Sequence, residues 1–298
     1  MKTPDQFRSL LQQGAPLVAD GATGTNLQKR GLPVGTPSDF WVLENPDAVL
    51  ALHRDFVAAG SDIILTDTFG ARELQLRKVN LGDKAAEINH RAVELAQKAV
   101  GDAPVWVAGS MGPLGELLAP YGSLTLAEAE AQFSAQAAAM LSAGVDLIVV
   151  ETQYDLVEAQ AAVRAVRALS AEIPLVCSFS YDRGVRTMMG VRPSQMAKTF
   201  ADLNVDTLGI NCGHSLEDNL KCLQELRQST ALPIWFKPNA GLPHADENGE
   251  TTYDAAPADM GGLVPGWLEA GAAVVGGCCG TSPEHLAAIA GAVKARQS

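Results

Sequence analysis

The sequence predicts an α/β fold, a single-domain (β/α)8 (TIM) barrel spanning residues 1–298, on three observations. Eight short β-type apolar runs alternate with eight segments of helical periodicity. The alternation fills about 250 residues, the usual size of such a barrel. Ala-Gly hinges recur where a helix must end and a strand begin, at Ala59-Gly60, Ala143-Gly144 and Ala270-Gly271.

The expected strands are Leu17–Ala19, Asp62–Thr66, Val105–Ala108, Leu147–Val150, Leu175–Phe179, Thr207–Ile210, Ile234–Phe236 and Ala273–Val275. Each is short, apolar and rich in β-branched residues or valine-like neighbours, as a strand buried on both faces should be. The helical segments are Asp47–Ala59, Lys84–Val100, Leu126–Ser142, Leu156–Leu169, Pro193–Asp202, Leu216–Gln228, Ala258–Ala270 and Pro283–Arg296. Ser282 and Pro283 supply an N-cap and a first-turn proline for the last of these. The competing architecture is a doubly wound open sheet. After the first strand it would show a Gly-x-Gly-x-x-Gly turn. Here Asp20-Gly21-Ala22-Thr23-Gly24-Thr25 offers only Gly-x-x-Gly.

Composition narrows the function. Acidic residues outnumber basic ones 34 to 22, for a net charge of −12, which disfavours nucleic acid as a partner. The Arg183/Arg186/Arg192 group reads as a solvated loop. No apolar run approaches the roughly 18–20 residues needed to span a bilayer. The opening segment has no apolar signal core. Five cysteines, an odd number without regular spacing, argue against a secreted disulfide framework. A cytoplasmic protein is expected.

Barrel active sites form at the C-terminal ends of the strands. Three cysteines fall there, in Ile210-Asn211-Cys212-Gly213 and in Gly276-Gly277-Cys278-Cys279-Gly280. One thiolate at one strand end and two at another can converge on a soft cation. Zn²⁺ suits three thiolates and keeps a fourth position open. Buried thiols are the plain alternative, and a Cys278–Cys279 bridge would close a small strained ring. Glu151 ends an apolar strand, where packing does not explain a carboxylate. Asp20 is either a turn former or a ligand, and Asp67 could be either. Ser110, Asn211 and Asn239 complete the polar strand ends. His214 is a weaker fourth-ligand candidate, since three thiolates and an exogenous group already complete a tetrahedron. His53, His90 and His285 read as surface or satisfied core residues, and Cys177 and Cys222 as packing residues. The segments Gly109–Gly122 and Lys237–Gly266 are long enough to wall a site.

A three-thiolate zinc activates water poorly and suits holding a further thiolate, still nucleophilic at neutral pH. Alkylation of a substrate thiol is the chemistry implied. Two carboxylates near such a centre suit an ammonium group, and so an amino-acid thiol.

These residues resemble the homocysteine S-methyltransferase family. The matching pieces are Asp20–Thr25, Thr66–Ala71, Gly109–Pro113, Glu151-Thr152, Gly209–Cys212, Pro238–Pro243 and Gly276–Thr281. The resemblance implies a zinc barrel with Cys212, Cys278 and Cys279 as ligands. It implies that Asp20 and Glu151 hold the homocysteine ammonium and that the Gly21-Ala22 turn offers N–H groups to its carboxylate. Asp67 and Ser110 fall in matching segments and are assigned to the substrate pocket. The asparagine matching Asn239 can fill the fourth zinc position before substrate arrives. Betaine-using members surround the quaternary ammonium with aromatic rings. Pro37, Gly70 and Thr152 stand at those places here, although Trp41 and Tyr154 are close in sequence. The Gly70 and Pro238–Pro243 segments look closer to the homocysteine domain of cobalamin-dependent methionine synthase. A methyl-corrinoid on a partner protein is therefore the expected donor. The alternative is a stand-alone enzyme using a small donor such as S-methylmethionine or a betaine.

Overall fold

The computed structural model describes residues 2–245 and 251–297. Ten strands are described: β1 Leu17–Val18, β2 Ile63–Leu65, β3 Trp106–Met111, β4 Leu147–Gln153, β5 Leu175–Phe179, β6 Thr207–Cys212, β7 Ile234–Pro238, β8 Pro243–Ala245, β9 Thr251–Tyr253 and β10 Ala272–Val275. Eight of them form one parallel sheet in the order β1-β10-β7-β6-β5-β4-β3-β2. A parallel bridge from Ala19 to Ile63 joins its two ends, so the sheet closes into the expected (β/α)8 barrel. The long helices lie outside it, one after each barrel strand, the last being Pro283–Gln297 after β10.

Alternation along the strands separates two cores. Leu147 and Val149 on β4, Trp106 and Ala108 on β3, and Trp235 on β7 belong to a lumen cluster. Ile148, Val150, Phe236 and Ile210 belong to the cluster between sheet and helices. The same period of two carries the lumen parity onward to Ser110, Glu151, Asn211 and Lys237. These polar residues stack above the apolar lumen at its C-terminal end. At the other end Phe7 and Leu11, from the helix Pro4–Gln12, join the lumen cluster. The Phe7 and Trp106 rings meet edge-on at 5.2 Å. That helix stoppers the barrel bottom, at the end opposite the polar layer.

The expected boundaries hold within three residues. β3 runs on to Met111 and β4 to Gln153, so Ser110 and Glu151 sit within strands rather than beyond them. The segment after β7 carries the antiparallel hairpin β8–β9. Residues 246–250 of that segment lie outside the described residues. No described helix is long and apolar enough to cross a membrane.

Candidate active site

Cys212 ends β6 with φ of +60°, a left-handed conformation that is unusual for a residue with a side chain. Gly213 follows at φ +85°. The parity of β6 would turn the Cys212 side chain outward, and the left-handed turn reorients it. Cys278 and Cys279 follow β10, and main-chain bonds seat them. The Cys278 N–H donates to the Pro238 carbonyl at 2.8 Å, and the Cys279 carbonyl accepts from Ala240 at 2.9 Å. Thr281 donates its hydroxyl to the Cys278 carbonyl at 2.6 Å. A side chain at Gly277 would strike Thr281, with a Cβ only 2.4 Å from it, so this tight turn needs glycine.

The three sulfurs all lie within 4.8 Å of one another, with Cys212 and Cys279 at 3.8 Å. Four sulfurs around a tetrahedral zinc at about 2.3 Å would stand about 3.8 Å apart. The donor set and its spacing therefore fit the metal. Hydrogen bonds from Cys212 and then Cys278 hold the Cys279 thiol well below the ordinary thiol range. The Tyr253 ring of the hairpin packs on Gly280, next in the chain to Cys279. All five cysteines are free, and Cys177 and Cys222 are buried in the outer core. His214 is not among the three clustered donors.

Beside the sulfurs lies a polar network across β3 to β7. Glu151 accepts from the Ser110 hydroxyl at 2.6 Å and from the Asn211 amide at 3.3 Å. Burial pushes the Glu151 carboxyl up to about 7, against the pull of Lys237. Asn211, fully buried, accepts from the Thr152 N–H at 2.9 Å and from Ser178 at 2.7 Å. Thr152 is a second left-handed residue, at φ +58°. Asp20 accepts from the Leu65 N–H at 2.7 Å and from the Lys237 ammonium at 2.6 Å. Burial drives the Asp20 carboxyl upward and Lys237 opposes it. Asp67 accepts from Ser38 at 2.6 Å, and its other oxygen is buried without a partner among the described residues. Burial, then the nearby Asp39, pushes Asp67 well above the carboxylate range. Asn239 donates to the Gly213 carbonyl at 3.0 Å, and its side-chain oxygen has no partner among the described residues. The Ala22 N–H is occupied by the Thr281 carbonyl at 3.1 Å.

A cavity of about 320 Å³ opens over this floor, lined by Gly21, Ala22, Asp67, Ser110, Glu151, Lys237 and the three cysteines among others. Asp20 is not in its lining and lies behind Lys237. Lys237 and Tyr253 were not among the expected site residues. Lysine in an apolar strand such as Ile234-Trp235-Phe236-Lys237 rarely lies buried without a carboxylate partner. That was the available signal. Tyr253 lies on β9, in the segment after β7 whose sequence pattern carried none.

The fold and the three converging thiols define a (β/α)8 barrel with a cluster of three cysteines, a donor set that could hold a metal ion, at the C-terminal ends of its strands. The chain belongs to the homocysteine S-methyltransferase family, whose pattern matches residues 17–293. It is 30% identical over 296 residues to a methionine synthase of Mycobacterium leprae, covering 93% of this chain and 24% of that protein. A methionine synthase of Mycobacterium tuberculosis is 31% identical over the same share. The chain thus spans about a quarter of the length of the curated relatives it matches. The homocysteine methyltransferase MmuM from Escherichia coli, in its metallated form, superposes with a TM-score of 0.81 at 28% identity. That likeness covers 97% of this chain and 99% of MmuM.

Proposed function

We propose that this chain transfers a methyl group to the sulfur of homocysteine, giving methionine, with Cys212, Cys278 and Cys279 holding Zn²⁺. The observation that carries the reading is the spacing of the three sulfurs at the catalytic end of the barrel. When bound, the metal would lower the pKa of the incoming thiol so that it reacts as a thiolate. Glu151 would take the substrate ammonium, its carboxylate already oriented by Ser110 and Asn211. Asn239, with an unpartnered oxygen beside Gly213, would stand in near the open ligand position until substrate arrives. The hairpin and Tyr253 would shield the sulfurs from water. Three free thiols suit a reducing compartment, and we place the protein in the cytoplasm.

For the donor, a methyl-corrinoid presented by a partner protein is the first reading. The likeness to methionine synthases supports it. Phe69 is the one aromatic residue lining the cavity among the described residues, which is too little for a cage around a quaternary ammonium. The second reading, a stand-alone enzyme using a small donor such as S-methylmethionine, is supported by the likeness to 99% of the length of MmuM, a homocysteine methyltransferase. Zinc-loaded protein and homocysteine should be supplied in turn with a methylated corrinoid protein, S-methylmethionine and betaine, and methionine followed. Turnover with S-methylmethionine alone would select the second reading. No methionine from any donor, in protein that binds zinc, would reject the function.

A further inference from the structure

We propose that Lys237 is the group that binds the carboxylate of the acceptor thiol, and that Asp20 acts behind it as a positioning residue. The inference rests on the homocysteine reading and assigns the ends of the substrate differently from the family resemblance. Four observations carry it. Lys237 lines the cavity and Asp20 does not. Both side chains are buried, Lys237 at 4% and Asp20 at 1% exposure, so the pair is shielded from bulk water and its charges act at full strength on a ligand in the cavity. An ammonium has three N–H donors. Lys237 uses one, to Asp20 at 2.6 Å, and among the described residues no second hydrogen-bond acceptor is found for it. The Ala22 N–H, which the resemblance would offer to the substrate carboxylate, already donates to Thr281. An α-amino acid placed with its sulfur toward the cysteines then meets a cation at Lys237 and an anion at Glu151. Its carboxylate suits the first and its ammonium the second.

Three thiols separate the ends of the substrate: homocysteine, 3-mercaptopropylamine, which lacks the carboxylate, and 4-mercaptobutyrate, which lacks the amine. Their binding to zinc-loaded protein is measured by calorimetry. Wild-type protein should lose on the order of 10- to 100-fold in affinity when the carboxylate is removed, the worth of one charge-assisted hydrogen bond. Lys237→Met should abolish that gap, weakening homocysteine and 4-mercaptobutyrate while leaving 3-mercaptopropylamine unchanged. Lys237→Arg should restore part of it. Because Lys237→Met leaves Asp20 buried and unpaired, the double variant Lys237→Met/Asp20→Asn is made alongside and should show the same lost gap. The single Asp20→Asn variant should narrow the gap without weakening 3-mercaptopropylamine. A carboxylate gap that survives in both Lys237 variants lacking the charge would overturn the proposal, as would equal binding of homocysteine and 3-mercaptopropylamine by the wild type. Failure of the wild type to bind any of the three would instead overturn the thiol-acceptor reading itself, and this assignment with it.

Discussion

His53 gives the sharpest stability prediction. It sits on the helix Pro46–Ala58 with 1% exposure, and neither ring nitrogen has a hydrogen-bond partner among the described residues. Burial alone lowers the ring from 6.5 to about 4. Between those values the unfolded chain takes up a proton that the native state does not. The native state is therefore fully favoured above pH 6.5 and loses stability as pH falls toward 4. Each pH unit in that window is worth up to about 1.4 kcal/mol, so the whole window costs about 3 kcal/mol. His53→Leu removes both the titration and the unpaired polar atoms. Urea unfolding of the two proteins should be compared from pH 7.5 to pH 4 at matched metal content, so that contributions from other groups cancel. The variant should be at least as stable at pH 7.5, and its advantage should grow by about 3 kcal/mol at pH 4. A difference between the two proteins that stays flat across this range would refute the reasoning.

Further outcomes follow from the site. Alanine at any of Cys212, Cys278 or Cys279 should release zinc, read by metal analysis, and abolish methionine formation. Glu151→Gln should weaken homocysteine by about 1.5–3 kcal/mol while zinc stays bound, since one charge-assisted bond is lost; unchanged affinity by calorimetry would contradict its role. Asn211→Ala should cost on the order of 2–4 kcal/mol in chemical unfolding, because Thr152, Ser178 and Glu151 lose a shared buried partner. Asn239→Ala should remove a light-atom ligand from the substrate-free zinc shell, seen by X-ray absorption, and a shell identical to that of the wild type would exclude the residue from the centre.

Much of the barrel was legible because each strand is a compact apolar run between hinges. Leu175–Phe179, Leu126–Ser142 and Leu156–Leu169 fall at the bounds their patterns indicate. The extensions of β3 and β4 were hidden because Gly109-Ser110 and Thr152-Gln153 read as loop residues. Their strand conformation comes from pairing with Ile148, Val149 and Phe179 on neighbouring strands. The stoppering helix Pro4–Gln12 had a local signal, the Thr3 to Gln6 capping box, but a helix so short is stabilised by burying Phe7 in the lumen. The cysteines stood out because strand ends and glycine turns bracket them. The Lys237–Asp20 pair joins residues 217 apart in the chain, and only closure of the barrel brings them together. The same holds for Asn211, whose role is set by partners on β4 and β5 rather than by its own strand.

The central claim is that the three thiols hold a zinc whose remaining position receives the homocysteine sulfur. X-ray absorption at the zinc edge, recorded before and after adding homocysteine, tests it most directly. Three sulfur neighbours and one light atom are expected in the free protein, becoming four sulfurs when substrate binds. A sulfur count that does not rise on addition of saturating homocysteine would contradict it.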